Sequence, residues 1–127
     1  MTEKSAAASP PPSVPGHPAY PIEDGPTGPG PAPYVTIVLP CFNEGAHVLQ
    51  EIDRITEAMS ASELSYELLC IDDASTDDTL EVLRGAMAQT PHVRVLPFRG
   101  NGGSGTARRI GPQQARGEIV VWTDADM

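Results

Sequence analysis

The chain has 127 residues and a net charge of −9, with 17 acidic and 8 basic side chains, so it has room for one small domain. The negative charge argues against nucleic acid as the main partner, because phosphate backbones require clusters of basic residues. It fits either a site that collects cations or a plain soluble acidic surface. The N-terminus lacks the continuous apolar core of a secretion signal, and no run of ~18 apolar residues could span a membrane.

The two cysteines, Cys41 and Cys70, follow no spacing that is typical of a zinc site. Both lie at or near the ends of apolar segments that we predict to be strands. Two buried, reduced thiols are therefore expected, as in a cytoplasmic protein, with membrane association left open for a full-length protein.

The N-terminal residues 1–33 differ in composition from the rest of the chain. They contain 10 of the 14 prolines and 4 of the 12 glycines, with few large apolar side chains. Such a segment cannot bury enough surface to offset its ordering entropy, so residues 1–33 are predicted to be a disordered tail. A polyproline II ligand for a partner is the less favoured alternative.

Apolar runs and helical periodicities alternate from Tyr34 onward. The first predicted strand is Tyr34–Leu39, which Pro40 is expected to end, and Asn43 is placed to cap a helix beginning at Glu44. The further elements alternate in type and are strand Tyr66–Ile71, a helix ending near Gln89, strand Val93–Leu96, a helix ending near Arg116 and strand Ile119–Thr123.

This alternation predicts βαβ units, a parallel sheet of about four strands and flanking helices. Ligands of such sheets bind outside the carboxyl ends of the strands. Four segments therefore share one edge, called here the carboxyl rim: Pro40–Glu44, Asp72–Asp73, Arg99–Gly105 and Asp124–Asp126.

Acidic residues dominate two of the rim segments. Asp72 and Asp73 follow a strand directly and could accept hydrogen bonds from a ribose hydroxyl or a base N–H. Helix capping is the alternative interpretation of the carboxylates further along this turn, such as Asp77 and Asp78. The pair Asp124-x-Asp126 follows an apolar strand, and its hard oxygens suit Mg²⁺ or Mn²⁺ together with the phosphates of a substrate.

The glycine-rich segment 100–105 matches the pattern G-x-G-x-x-G literally. It follows the third strand rather than the first, and no acid lies about twenty residues later at a strand end, so a dinucleotide fingerprint is not favoured. Backbone N–H groups of such a loop could still approach phosphates, and a tight turn is the alternative.

Taken in register, these segments resemble the N-terminal half of a family 2 glycosyltransferase with the GT-A fold, a Rossmann-like α/β sheet. The resemblance covers residues 34–127. The segments that carry it are Ile37–Glu44, Ile71–Thr79, Asn101–Arg108, Gly117–Glu118 and Asp124–Asp126.

The resemblance implies a nucleotide-sugar donor, carrying UDP or GDP, bound through Mg²⁺ or Mn²⁺. The residues that it assigns to nucleotide binding are Pro40, Phe42, Glu44, Asp72, Asp73 and Asp124. It assigns the metal to Asp124 and Asp126. The Asp-Ala-Asp form is most similar to the branch that glycosylates polyprenyl phosphates, such as dolichol-phosphate mannose synthases.

Two departures from the family pattern are visible. Ala74 replaces a glycine, which a turn tolerates if φ is negative, and Pro112 should kink the third helix. The resemblance implies that the family's acceptor-binding half and catalytic base would follow Met127. The chain therefore looks like a fragment truncated after the acidic motif, and its catalytic residues are unknown. We expect no sugar transfer by this chain alone.

Two other functions remain as alternatives. One is a non-catalytic or vestigial nucleotide-binding domain. The other is a receiver-like signalling module, which also uses an acidic rim and Mg²⁺. A receiver needs an acceptor Asp after its third strand, where this chain has Pro97-Phe98-Arg99, so this alternative is less favoured.

Overall fold

The computed structural model describes residues 22–28, 30–98, 111 and 113–123. Their strands and helices alternate after the first strand. They are β1 (Glu23–Asp24), β2 (Val35–Cys41), α1 (Val48–Ser62), β3 (Tyr66–Asp73), α2 (Thr79–Gln89), β4 (Val93–Phe98) and β5 (Ile119–Trp122). The predicted α/β class is confirmed.

The strands form one sheet in the order β1-β4-β3-β2-β5. Strands β2, β3, β4 and β5 run parallel, as predicted, and β1 pairs antiparallel to the outer side of β4. The short strand β1 was not predicted, because two adjacent acidic residues carry no apolar alternation.

Both faces of the sheet are buried at the central strands β2, β3 and β4, which explains their nearly continuous apolar sequences, whereas Ile119 and Val121 of β5 are exposed. On one face, alternate strand residues pack against Val48 and Ile52 of α1 and Leu83 of α2. On the other face the buried residues are Val38, Leu69, Ile71, Leu96 and Phe98, with Trp122 packed against them. Gly111 lies on this second face, where an added Cβ would come within 3.1 Å of the Trp122 ring.

Strand β2 continues through Pro40 to Cys41, so the predicted end of the strand at Leu39 is wrong by two residues. Pairing with β3 extends to Cys41 opposite Asp72, whereas the described pairing with β5 stops at Val38 opposite Trp122. A proline lacks an N–H donor, and it is tolerated here because it lies at the end of the strand.

The first helix begins at Val48 rather than at Glu44, and its N-cap is His47 without a side-chain capping bond. Asn43 has a left-handed backbone with φ 53°, so it is not the helix cap that we predicted. The second helix ends at Gln89, as predicted. Of the third helix, only part of the segment 111–114 is described, and the predicted kink at Pro112 lies outside the described residues.

Residues 22–28 and 30–33, called here the N-terminal segment, belong to the fold. Asp24 accepts a hydrogen bond from Arg94 Nε at 2.5 Å, and Glu23 binds Arg84 through both carboxylate oxygens at 2.9 and 2.8 Å. The expected disorder is therefore wrong for this part of residues 1–33, because ion pairs and β1 pairing supply interactions that composition does not reveal. Residues 1–21 lie outside the described residues, and the domain boundary stays a prediction.

In the part of the chain that the structure describes, neither helix is long and apolar enough to cross a membrane.

Candidate functional site

The carboxyl ends of three parallel strands meet at one edge of the sheet. Cys41 of β2 pairs with Asp72 of β3, and Asp72 and Asp73 pair in turn with Pro97 and Phe98 of β4. The described members of the predicted carboxyl rim therefore lie together. This edge is where open parallel sheets bind their ligands.

Asp72 is the most distinctive residue of the rim. It is 3% exposed, and its Oδ1 atom is buried without a hydrogen-bond partner among the described residues. A buried acceptor that is left unpaired is destabilising, by about 1–3 kcal/mol and more if charged. Among the described residues, this oxygen atom therefore has an unused capacity to accept a hydrogen bond.

A cavity of about 170 Å³ opens beside this carboxylate, between the ends of β3 and β4 and the start of α2. Its lining is Asp72, Ala74, Ser75, Leu80, Pro97 and Phe98. Whole ligands usually occupy pockets of ~300 Å³ or more. The cavity therefore has room for part of a ligand, such as a nucleobase.

Asp73 is more accessible than its neighbour. Burial, and then the charge of Asp72, raise the pKa of its carboxyl above the ordinary 3.8. Both causes disfavour the carboxylate form in the free protein. Hydrogen-bond donors from a ligand would favour that form.

Three predicted nucleotide-binding residues, one near the end of β2 and two in the loop that follows it, are present at the same rim. Phe42 is 54% exposed, which is unusual for a large aromatic ring and makes it available for contact with a ligand. Pro40 and Glu44 are half-buried, and the Glu44 N–H donates to Thr79 Oγ1 at 2.8 Å.

The capping interpretation of the acidic turn holds for one residue. Asp77 Oδ1 accepts the Thr79 N–H at 2.9 Å, and the hydroxyl of Thr79 is the main cause that lowers the Asp77 pKa. Asp78 occupies the N-cap position of α2 without a side-chain capping bond. Asp72 and Asp73 belong to β3 and take no part in capping.

Ala74 has φ 58°, in the left-handed region. We expected that the turn would tolerate alanine in place of glycine if φ were negative. That condition is not met. The turn is strained by the Cβ atom, since this conformation is favourable for glycine.

The predicted metal residues Asp124 and Asp126 lie outside the described residues, as does the glycine-rich segment 99–105. The described chain reaches Thr123, whose N–H donates to Val38 O at 3.0 Å. Among the described residues there is no group of three or more His, Cys, Asp or Glu side chains that could hold a metal ion.

A larger cavity of about 400 Å³ lies at the opposite edge of the sheet, beside Tyr66, His92 and the N-terminal segment. The charged side chains in its wall are bound to each other, with Glu67 paired to Arg94 and Arg116. This cavity includes no predicted site residue.

Sequence reasoning missed the residues that join the two loops of the rim, above all Asn43. Its side-chain oxygen accepts the Thr76 N–H at 2.8 Å. The signal in the sequence was an Asx residue before a helix, and that signal is the same for a cap and for a contact with a distant loop.

A family-level sequence model described as "Glycosyl transferase family 2" matches residues 36–127. The chain belongs to glycosyltransferase family 2. It is 34% identical over 92 residues to the glycosyltransferase YkcC of Bacillus subtilis, covering 72% of this chain and 28% of that protein. The predicted family is confirmed.

Relatives that carry more specific names also match this member of family 2. Dolichyl-phosphate beta-glucosyltransferase ALG5C of Trichomonas vaginalis is 30% identical, covering 73% of this chain and 29% of that protein. Undecaprenyl-phosphate 4-deoxy-4-formamido-L-arabinose transferase of Proteus mirabilis is 32% identical, with 73% and 29% covered. The predicted similarity to the polyprenyl-phosphate branch is thereby confirmed.

Two solved structures share the fold with a TM-score of 0.63 each. One is the mannosyltransferase PcManGT of Pyrobaculum calidifontis in complex with GDP-Man and Mn²⁺, 29% identical, covering 77% of this chain and 29% of that one. The other is TarS of S. aureus, 25% identical, with 73% and 27% covered. The GT-A fold is confirmed, and the chain spans less than a third of the length of its relatives.

Proposed function

We propose that this chain forms the donor-binding part of a glycosyltransferase that uses a UDP- or GDP-linked sugar. The observation that carries the proposal is the unpaired Oδ1 atom of Asp72, buried at the carboxyl rim beside a base-sized cavity. Because the chain spans less than a third of its relatives, donor binding is proposed for these residues and sugar transfer for the whole protein.

The rim residues divide into two roles. Asp72 accepts a hydrogen bond from a base N–H or a ribose hydroxyl, which satisfies its buried oxygen. Asp73 accepts a second donor, and its raised pKa falls when that bond forms. Pro40, Phe42 and Glu44 line the nucleoside, with the exposed Phe42 ring offering an apolar surface.

The donor set of Asp124 and Asp126 fits Mg²⁺ or Mn²⁺, because carboxylate oxygens are the ligands these ions take together with phosphates. Strand β5, which precedes these two residues in the chain, runs parallel to β2 with Trp122 opposite Val38. A bound ion would neutralise the diphosphate of the donor. Mn²⁺ in the PcManGT complex supports this assignment.

The acceptor that we propose is a polyprenyl phosphate at a membrane surface. The names of the Trichomonas vaginalis and Proteus mirabilis relatives, which act on dolichyl and undecaprenyl phosphate, support it. We propose that the rim lies on the cytoplasmic side of that membrane. The carboxylates of the rim are assigned to nucleotide and metal, so we assign no catalytic base within this chain.

Calorimetric titration of the chain with UDP, GDP and ADP, each with Mn²⁺, Mg²⁺ or EDTA, tests the proposal. Asp72→Asn should weaken UDP or GDP binding about tenfold or more, since a hydrogen bond to a charged group is worth about 1.5–3 kcal/mol. Asp53→Asn, which removes an exposed carboxylate of α1, is the matched control. Equal binding in EDTA would exclude the metal, and equal binding by Asp72→Asn would exclude the assigned role.

A further inference from the structure

Two loops of the carboxyl rim are joined through one side chain. The first rim loop, residues 42–47, follows β2, and the second rim loop, residues 74–79, follows β3 and includes Thr79, the first residue of α2. Asn43 Oδ1 accepts hydrogen bonds from Thr76 N at 2.8 Å, Thr76 Oγ1 at 3.3 Å and Asp77 N at 3.3 Å. A single amide oxygen therefore holds the backbone of the opposite loop at two successive residues.

Backbone donors of the first rim loop complete the connection in the other direction. Asn43 N donates to Ser75 Oγ at 2.9 Å, Glu44 N to Thr79 Oγ1 at 2.8 Å, and Gly45 N to Asp77 Oδ2 at 3.2 Å. Three successive N–H groups thus find their acceptors in the second rim loop. The two loops behave as one unit, because separating them would leave these donors and acceptors unpaired.

The backbone geometry of the first rim loop suits this connection. Asn43 is left-handed with φ 53°, a conformation that asparagine tolerates better than most residues. At Gly45 the loops are so close that an added Cβ would clash with the Asp78 carboxylate. Both positions are therefore restricted by the contact between the loops.

The connected residues are immediate chain neighbours of the proposed nucleotide contacts. Phe42 and Glu44 flank Asn43, and the second rim loop follows Asp72 and Asp73 directly. Joining the loops holds the two halves of the nucleoside pocket at a fixed separation before any ligand binds. A preassembled pocket binds more tightly than one that must first be ordered.

We propose that Asn43 is a positioning residue that preassembles the nucleoside pocket by clamping the first rim loop to the second. This inference rests on the proposed function, since it concerns how the same rim recognises the nucleoside. The Asn43 side chain acts through the two loops that it joins and does not itself contact the nucleotide.

The test compares three substitutions at this position. Asn43→Gly keeps the left-handed backbone and removes the acceptor oxygen. Asn43→Asp keeps an acceptor oxygen and should restore part of the affinity. Asn43→Ser is a milder loss, used if Asn43→Gly does not fold. Ala58→Gly, in the exposed middle of α1, is the control for lowered stability without a change at the rim.

Two readouts separate positioning from a merely structural role. If the pocket is assembled in one molecule in ten, the apparent affinity for UDP or GDP falls about tenfold. Affinity for Mn²⁺–pyrophosphate, which lacks a nucleoside, should change little. Hydrogen exchange should show faster exchange of the Thr76 and Asp77 amides in Asn43→Gly, with Ala58→Gly unchanged at these amides.

The results of these experiments distinguish failure of the proposed nucleotide binding from failure of the positioning role of Asn43. Absence of nucleotide binding by the unsubstituted chain would overturn the proposed function. If the unsubstituted chain binds the nucleotide, two outcomes would overturn the positioning role instead. One is that Asn43→Gly binds the nucleotide as tightly as the unsubstituted chain, and the other is that Ala58→Gly loses as much nucleotide affinity as Asn43→Gly. Unchanged exchange of the Thr76 and Asp77 amides in Asn43→Gly would overturn the clamp in either case.

Discussion

Arg116 binds the carboxylate of Glu67 twice, from its backbone N–H to Oε2 at 2.8 Å and from Nε to Oε1 at 3.0 Å. Glu67 is 2% exposed, and it also accepts hydrogen bonds from Thr36 Oγ1 at 2.6 Å and Arg94 Nη1 at 3.3 Å. One carboxylate of β3 therefore connects β2, β4 and the residues before β5. This connection fixes the register in which β5 pairs with β2.

Replacing Glu67 by alanine should lower the free energy of unfolding by about 3 kcal/mol, because removing one partner of a buried charge pair leaves the others uncompensated. Urea denaturation measures the change. Glu57→Ala, at an exposed position of α1, should stay within about 0.5 kcal/mol. Similar values for the two variants would show that the carboxylate of Glu67 does not hold the strands together.

Ala74→Gly should stabilise the protein by about 0.5–1 kcal/mol. The left-handed conformation, with φ 58°, is unfavourable for alanine and available to glycine, although glycine loses more entropy on folding. The same change at Ala58, within α1, should instead destabilise by about 1 kcal/mol. Thermal and urea unfolding measure both, and destabilisation by Ala74→Gly would contradict the strain.

Several elements of the fold could be predicted from local sequence. The strands β2, β3 and β4 are apolar runs between turn residues, and the end of α2 at Gln89 follows from its periodicity. The apolar and helical patterns of these elements depend only on residues close together in the chain, so the local sequence is sufficient to predict them. The parallel order followed from the alternation of strands and helices.

The features that could not be predicted depend on distant partners. Asn43 precedes a helical pattern, as a cap would, yet its acceptor oxygen serves Thr76 in another loop. Glu23 and Asp24 become a strand because they pair with β4 and its Arg94. Neither contact leaves a periodic signal, and composition alone led us to predict disorder there.

A chain that begins at Ile22 should be as stable as the full chain, whereas a chain that begins at Tyr34 should lose about 2 kcal/mol or more. The shorter one lacks Asp24, which pairs with the buried Arg94, although Glu67 remains as a partner. Urea denaturation of both chains measures the difference. Equal stability of the two chains would support the predicted domain start at residue 34.

Single substitutions in the N-terminal segment give a finer comparison. Asp24→Asn should destabilise more than Glu23→Gln, because Arg94 is largely buried and Arg84 is exposed. Exposed ion pairs contribute only about 0–1 kcal/mol. A larger effect of Glu23→Gln would contradict this ranking.

Both cysteines should be unreactive toward a thiol reagent in the folded protein and react fully in denaturant. Burial raises the pKa of Cys70 to about 12, and burial together with neighbouring negative charge raises the pKa of Cys41. The thiolate is the reactive form, so little of it exists at neutral pH. Titration with a chromogenic disulfide measures accessible thiols, and rapid reaction of either one without denaturant would contradict their burial.

The affinity for UDP or GDP should fall as the pH is lowered from neutrality, beginning above pH 3.8, the ordinary pKa of an aspartate. Burial and the Asp72 charge raise the pKa of Asp73 in the free protein, so its carboxyl is protonated at a higher pH than an ordinary aspartate and then accepts ligand hydrogen bonds more weakly. The contribution of Asp73 to folding stability changes with pH in the opposite direction to the nucleotide affinity. A raised folded-state pKa means that the folded protein binds the proton more readily, so the Asp73 contribution to stability improves as the pH falls through that pKa.

Calorimetry at a series of pH values, with Asp73→Asn as the control, isolates this carboxyl from the titration of the nucleotide phosphates. Both proteins experience the same ligand titration, so only the difference between them reports on Asp73. We expect weaker binding by Asp73→Asn at neutral pH and convergence of the two affinities in acid, where the carboxyl is neutral in both. A constant ratio of affinities over the whole pH range would show that Asp73 does not bind the nucleotide as a carboxylate.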